Sequence, residues 1–184
     1  MASIFDKISN KSGGVFKSAN WYRNAVSSLS DTITARKLYN QGRINQRPSL
    51  GRLNLFFYDP KFKKTLPYYD TFPLVLPIET YSNGFLGINL HYLSVPMRIR
   101  LLDRLTDFAN NKQFDETTTI QANYRALKNV DLIKPCLKRY LAGYVKSKFR
   151  KVEADEFMIA TLLPVQRFKK QSDTYVFGKS RGMV

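Results

Sequence analysis

Hydrophobic positions recur along this chain at two periods, and the period changes near Arg52. In ANWYRNAVSSL, Trp21, Tyr22, Ala25, Val26 and Leu29 fall at the offsets of one helical face, with Ser18 placed as the N-cap. Ahead of it, residues 1–18 are rich in Ser, Lys, Asn and Gly and are expected to form a mobile or partner-ordered arm with Gly13-Gly14 as a hinge. Ile4, Phe5 and Ile8 stand at helical spacing within that arm and offer a short docking helix. One or two further helical turns are expected over Thr34 to Tyr39, with Asp31 or Thr32 near their start. QGRINQRPSLG then reads as a linker, punctuated by Gly42, Pro48 and Gly51.

From Arg52 the period drops to two. In RLNLFFYD, Leu53, Leu55 and Phe57 alternate with Arg52, Asn54 and Phe56, which predicts a strand. DPKFKKTLPYYD follows as a loop, because Asp59-Pro60 initiates a turn and Pro67 prevents regular pairing. FPLVLPIET predicts a second strand, and its prolines, Pro73 and Pro77, place it at an edge or at a bulge. SNG marks a tight turn into a third strand, GFLGINLHYL. Helical spacing returns after Ser94 and Pro96, with Ile99, Leu101, Leu102, Leu105, Phe108 and Ala109 on one face. Asp115 to Leu127 is expected to be another helix, with Ile120, Tyr124 and Leu127 inward.

Pro135 is placed to open a third helix, KPCLKRYLAGYVKSKF, whose stripe is Leu137, Tyr140, Leu141, Tyr144 and Val145. Its end is ambiguous, since VKSKFRKV also alternates like a strand. EADEFMIATLLP fits a short helix or a returning strand, and VQRFKKQSDTYVFGKSRGMV fits a surface-running tail with one strand-like patch, TYVF. The expected fold class is α+β: a small curved antiparallel sheet or partial barrel over about residues 51–93, packed with several helices. Residues 1–50 would be a basic N-terminal arm with one or two short helices. Residues 51–184 would be a single domain with strands over 51–93, helices over 95–150 and a C-terminal tail over 165–184.

Composition adds one strong constraint. The 184 residues carry 30 basic and 14 acidic side chains, a net charge of +16, while 43% hydrophobic and 14% aromatic content is ample for a core. The excess is uneven: net charge is +6 over residues 1–50, +2 over 51–110, +6 over 111–150 and +2 over 151–184. Charge of that size repels itself unless a polyanion or an acidic protein surface relieves it, and nucleic acid is the commonest such partner. The lone Cys136 forms no internal disulfide and is expected to pack as a small apolar group, consistent with a reducing site of synthesis. No cluster of metal ligands and no apolar run of membrane-spanning length stands out, and MASIFDKISNKSGG lacks the apolar block of a secretory signal.

Candidate chemistry follows the charge. The single His91 is expected on a strand, bonded to a backbone group, rather than in a triad. Asp59 and Asp70 stand beside turn-forming residues, where an Asp side chain bonds nearby amides more readily than a metal. NGFLG leads into no helix carrying Lys-Ser or Lys-Thr, so no phosphate-binding loop is present. No catalytic residue, metal or cofactor is therefore assigned.

Three basic clusters remain as the candidate nucleic-acid contacts. The first is Lys61, Lys63 and Lys64. The second is Lys138 and Arg139 with Lys146, Lys148, Arg150 and Lys151. The third is Arg167, Lys169 and Lys170. Phe62, Phe149 and Phe168 adjoin them and are candidates for stacking on unpaired bases. Neutralising Lys146, Lys148, Arg150 and Lys151 together is expected to be the most damaging surface change.

The central block YDPKFKKTLPYYDTFPLVLPIE followed by GFLGINLHYL resembles a family of small virion proteins from large contractile-tailed bacteriophages, especially marine and cyanobacterial ones. The resemblance runs from ANWYRNAVSSL through KPCLKRYL, VKSKFRKVEADEF and LPVQRFKK to KSRGMV. It implies a non-enzymatic virion protein, made in the host cytoplasm, with no membrane contact. Its implied role is either a DNA end protector at the portal–tail junction or a structural tail or baseplate component. Implied partners are a double-stranded DNA end and other phage proteins of the portal, neck, tail or baseplate, within a symmetric assembly.

Overall fold

The hairpin expected at Ser82-Asn83-Gly84 lies at the heart of the sheet in the computed structural model of the protein, which describes residues 4–13, 17–29, 33–111 and 117–184. Strands β4 (Leu74–Tyr81) and β5 (Gly84–Asn89) pair antiparallel from Val75 opposite Asn89 to Tyr81 opposite Gly84. The register shifts between Pro77 and Glu79, so the proline without an amide donor sits at a bulge, as its position predicts. Gly84 is required by close approach: a Cβ there would collide with the Tyr140 carbonyl oxygen.

Around this hairpin the sheet has six strands, is open, and pairs antiparallel throughout. Its order is β1 (Arg43–Asn45), β7 (Phe149–Lys151), β2 (Asn54–Leu55), β4, β5 and β6 (Leu137–Leu141). A separate ribbon joins β3 (Tyr69–Asp70) to β8 (Phe168–Lys169). The α+β class expected from sequence holds, but the sheet recruits chain from well beyond residues 51–93. β4 is interior, between β2 and β5, rather than an edge.

The largest correction falls on KPCLKRYLAGYVKSKF. It is no helix: β6 pairs with β5 from Gly84 opposite Leu141 to Ile88 opposite Leu137. A 3-10 turn over Ala142–Tyr144 then leads toward β7. The helical spacing of Leu137, Tyr140, Leu141, Tyr144 and Val145 is coincidental. A short apolar run cannot choose between helix and strand by periodicity, and the ladder offered by β5 decides it. The strand-like alternation of VKSKFRKV is realised in β7.

Both faces of the sheet are buried. Leu53, Leu55, Leu74, Leu76 and Ile88 belong to the main core, shared with α4 (Val95–Thr106) and α6 (Phe157–Leu162). Phe56, Tyr58, Val75, Phe85, Tyr140 and Phe149 form a second, aromatic core on the opposite face. Rings there meet edge-on or offset, with Phe56 and Phe149 at 4.9 Å and Phe85 and Tyr140 at 5.2 Å. The period-two pattern at Leu53 to Tyr58 is therefore real, with an aromatic layer where an exposed polar face would ordinarily stand.

Helices α1 (Ile4–Ser12) and α2 (Ala19–Ser27) dock on the main core through Ile4, Phe5, Ile8, Tyr22 and Val26. The Ser18 hydroxyl accepts from the Trp21 amide at 3.3 Å, the cap its position predicts. Helix α3 (Ala35–Tyr39) is capped by Thr34, whose Oγ1 accepts from the Lys37 amide. Gly14, Asp31 and Thr32, invoked from sequence as hinge and helix start, lie outside the described residues.

Helix α4 follows Ser94, with Pro96 in its first turn. The helix expected over Asp115 to Leu127 shrinks to α5 (Tyr124–Leu127), because Asn123 caps it there by accepting from the Ala126 amide. Ile120 instead bridges Ala109, and residues 112–116 lie outside the described residues. TYVF is not a strand but part of α7 (Asp173–Arg181), capped by Ser172 through the Tyr175 amide. EADEFMIATLLP takes its helical alternative as α6.

Candidate nucleic-acid interface

The loop Asp59 to Leu66 is held as a series of tight turns by its own backbone. The Lys63 amide donates to the Pro60 carbonyl at 3.2 Å, and the Thr65 and Leu66 amides both donate to Phe62 at 3.0 Å. This winding turns Lys61, Phe62, Lys63 and Lys64 outward, and Phe62 is 60% exposed. Lys63 is spoken for: its ammonium reaches both Asp59 carboxylate oxygens, at 2.9 and 2.8 Å, and this raises its pKa. Asp59 thus holds a lysine, whereas Asp70 does bond a turn amide, that of Phe72 two residues on.

Segment 167–170 is laid against this loop from about a hundred residues away in sequence. Tyr69 pairs with Lys169 and Asp70 with Phe168 across the β3–β8 ribbon. Lys170 closes the junction, donating to the carbonyls of Lys64 at 3.0 Å and Leu66 at 2.7 Å. The first and third basic clusters are therefore one surface, on which Lys61, Lys64, Arg167, Lys169 and Lys170 are all exposed.

Strand β6 borders this surface: Lys138 turns to it, whereas Arg139, the next residue along the strand, turns its guanidinium to the hairpin. Between β6 and the loop runs a groove of about 460 Å3, lined by Lys61, Phe62, Tyr68, Tyr92, Lys138 and Arg139 among others. The Lys138 ammonium lies 4.1 Å from the Tyr92 ring centroid. Burial lowers its pKa, and among the described residues no carboxylate pairs with it. The Arg139 guanidinium sits 4.1 Å over the Tyr81 ring and donates to the Asn83 side chain.

The remaining members of the second cluster divide. Lys146 and Lys148 are exposed, and the Lys148 carbonyl accepts from the Tyr39 hydroxyl at 3.1 Å. Arg150 is only 1% exposed, so it leaves the candidate surface. Its guanidinium lies 4.5 Å over the Phe5 ring and 3.9 Å from Glu156. A side chain at Gly42 would collide with the Arg150 guanidinium. Burial lowers the Arg150 pKa and raises that of Glu156, so desolvation outweighs their long pairing. Lys151 is half-buried and pairs with Glu153 at 3.0 Å, a carboxylate that also holds Arg52 at 2.8 Å and Arg43 at 3.7 Å. Neutralising 146–151 as a block would thus disturb the core along with the surface.

Beneath the groove lies a buried polar column. His91 is not on a strand, as expected, but in the 3-10 turn Leu90–Tyr92, and its partner is a side chain. Its Nδ1 stands 2.8 Å from Asp70 Oδ2, while Nε2 is buried without a partner. Asp70 also accepts from the Arg167 amide at 3.1 Å, which pins the third basic cluster in place. Burial holds His91 below its ordinary pKa despite Asp70, leaving a neutral ring that donates through Nδ1. Burial alone would raise the Asp70 carboxyl, but the ring and the Phe72 and Arg167 amides outweigh it and hold it down. Arg98 of α4 completes the column, donating to the carbonyls of Leu93 at 2.8 Å and His91 at 3.3 Å and to Gln166 Oε1 at 3.1 Å. Burial lowers its pKa to about 10. With His91 at 0% and Asp70 at 3% exposure, the pair is sealed from solvent.

Of the three aromatics proposed for stacking, only Phe62 is open. Phe149 lies in the second core, and Phe168 packs on Tyr68 and Tyr92. Sequence reasoning missed Tyr68 and Tyr92, although the doublet Tyr68-Tyr69 directly after a basic loop was a usable signal. Cys136 packs as expected, and burial pushes its thiol up to about 12. Among the described residues no three His, Cys, Asp or Glu side chains gather as a metal site, and no helix is long and apolar enough to cross a membrane.

A family model described as phage T4 terminal DNA protecting protein matches residues 2–181. No curated protein and no solved structure matches the chain.

Proposed function

We infer the role of this chain from its kinship: it belongs to the phage T4 terminal DNA protecting protein family, and we propose that its groove face grips the end of the packaged genome. The observation that carries this proposal is convergence. Cations from residues 61–64, 138 and 167–170, distant in sequence, share one surface around an aromatic groove with Arg139 at its border, and among the described residues Lys63 alone of them is in an ion pair. Lys61, Lys64, Lys138, Arg139, Arg167, Lys169 and Lys170 would neutralise phosphates and release counterions, which needs no base sequence. Lys63 would contribute only when released from Asp59, and Lys146 and Lys148 would flank the contact.

In this role the protein shields a terminus from exonucleases and fixes it near the portal–tail junction, with portal or neck proteins as neighbours in the virion. A tail or baseplate component would use the same lysines on acidic protein faces, and the family match is what favours DNA. The test is a mobility-shift titration of linear duplex against a closed circle of the same sequence. Linear DNA should bind more tightly, and affinity should fall steeply with salt, with a log–log slope of roughly −6 for seven contacts. Equal competition by circles would refute end recognition.

A further inference from the structure

We propose that the groove between the 59–66 loop and β6 receives one unpaired terminal nucleotide, extracted from the duplex end, rather than the stacked end of an intact base pair. This inference rests on the end-binding role above and specifies what the groove holds.

Size is the first support. A groove of about 460 Å3 lies within the range that holds a drug-sized ligand, which suits a single nucleotide. Chemistry is the second. A nucleotide presents a flat π-face and an anion, and the groove offers rings at Phe62 and Tyr68 beside cations at Lys61 and Lys138, with Tyr92 buried beneath the Lys138 ammonium. Asp70 is the one acidic residue in the lining, and its carboxylate is buried against His91. Lys138 is the third support: a half-buried ammonium without a carboxylate partner gains from a phosphate what burial takes away. Unstacking one base costs a few kcal/mol and least where pairing is already weak, so a duplex end is the natural source of such a nucleotide. With its last nucleotide withdrawn into the protein, a strand presents no free terminus to an exonuclease.

The test compares four DNAs with the intact protein: a closed circle, a linear duplex with matched ends, one with mismatched terminal pairs, and one with terminal pairs covalently cross-linked. The mismatched end should bind about tenfold more tightly than the matched one, because it is spared the cost of breaking a terminal pair, and the cross-linked end least of the three linear forms. If all linear forms bind alike but better than the circle, the groove inference falls and end binding stands. If the circle binds as well as the linear forms, both fall. Lys138→Gln should reduce the mismatch preference to within about twofold, while Lys128→Gln, at an exposed lysine outside the proposed contacts, keeps it in full. Should Lys138→Gln fail to fold, Phe62→Ala at the exposed rim carries the same readout. A tenfold preference surviving these changes to the groove would overturn the assignment.

Discussion

Two lysine- and arginine-rich stretches of this chain look alike in sequence and differ in how much of their charge the fold leaves open. In RFKK at 167–170, Lys169 and Lys170 are exposed, and Lys170 spends its hydrogen bonds on backbone carbonyls that leave its charge intact. In KSKFRK at 146–151, Arg150 is sealed under Phe5, and Lys151 is tied to Glu153. The difference lies in the neighbours each stretch meets. EADE places Glu153 and Glu156 against β7, whereas the 167–170 segment is laid against another basic loop. Formal charge therefore measures supply, and the tertiary partner decides how much of it a ligand can use.

Removing a cation from each stretch should separate the two behaviours. Arg150→Ala should destabilise the protein by about 3 kcal/mol, since it strips a packed side chain and leaves Glu156 without its partner. Urea unfolding should show this as a lower midpoint, while folded protein binds DNA within about twofold of the unaltered chain. A quadruple change of Lys61, Lys64, Lys169 and Lys170 to Gln should do the reverse. Linear-duplex affinity at low salt should fall by about a hundredfold and the salt slope shrink by roughly 4, with the unfolding midpoint nearly unchanged. If Arg150→Ala weakened binding as much as the quadruple change, the contrast between the stretches would be lost.

Acid should act on the column that supports the open face. Both His91 and Asp70 have folded pKa values below their ordinary ones, so each contributes stability that is present at higher pH and lost on acidification. The His91 contribution is complete above its unfolded value near 6.5 and falls away as pH drops through its lower folded value; that of Asp70 goes at lower pH still. Urea midpoints between pH 7 and pH 5 should therefore decline, and His91→Gln should flatten the decline. A midpoint that rises on acidification would contradict the neutral, buried ring. The smallest effect is expected from Asp59→Asn, which frees Lys63. Binding should tighten about two- to threefold and the salt slope steepen by roughly 1, as one more phosphate contact requires.

Local chemistry determined what was legible beforehand. The Ser18 cap, Pro96 in the first turn of α4, the Asn83-Gly84 hairpin and the bulge at Pro77 are each set by a few adjacent residues. The surplus of cations and the aromatic weight of the centre were equally plain, because counting needs no geometry. What only the tertiary structure decided was pairing across distance. β5 turned Leu137 to Leu141 into a strand, Asp70 claimed His91, the Phe5 ring of α1 covered Arg150, and residues 167–170 came to rest beside 61–66. Such choices depend on which distant partner supplies a hydrogen bond or a counter-charge in a dry site, and no window along the chain contains that partner.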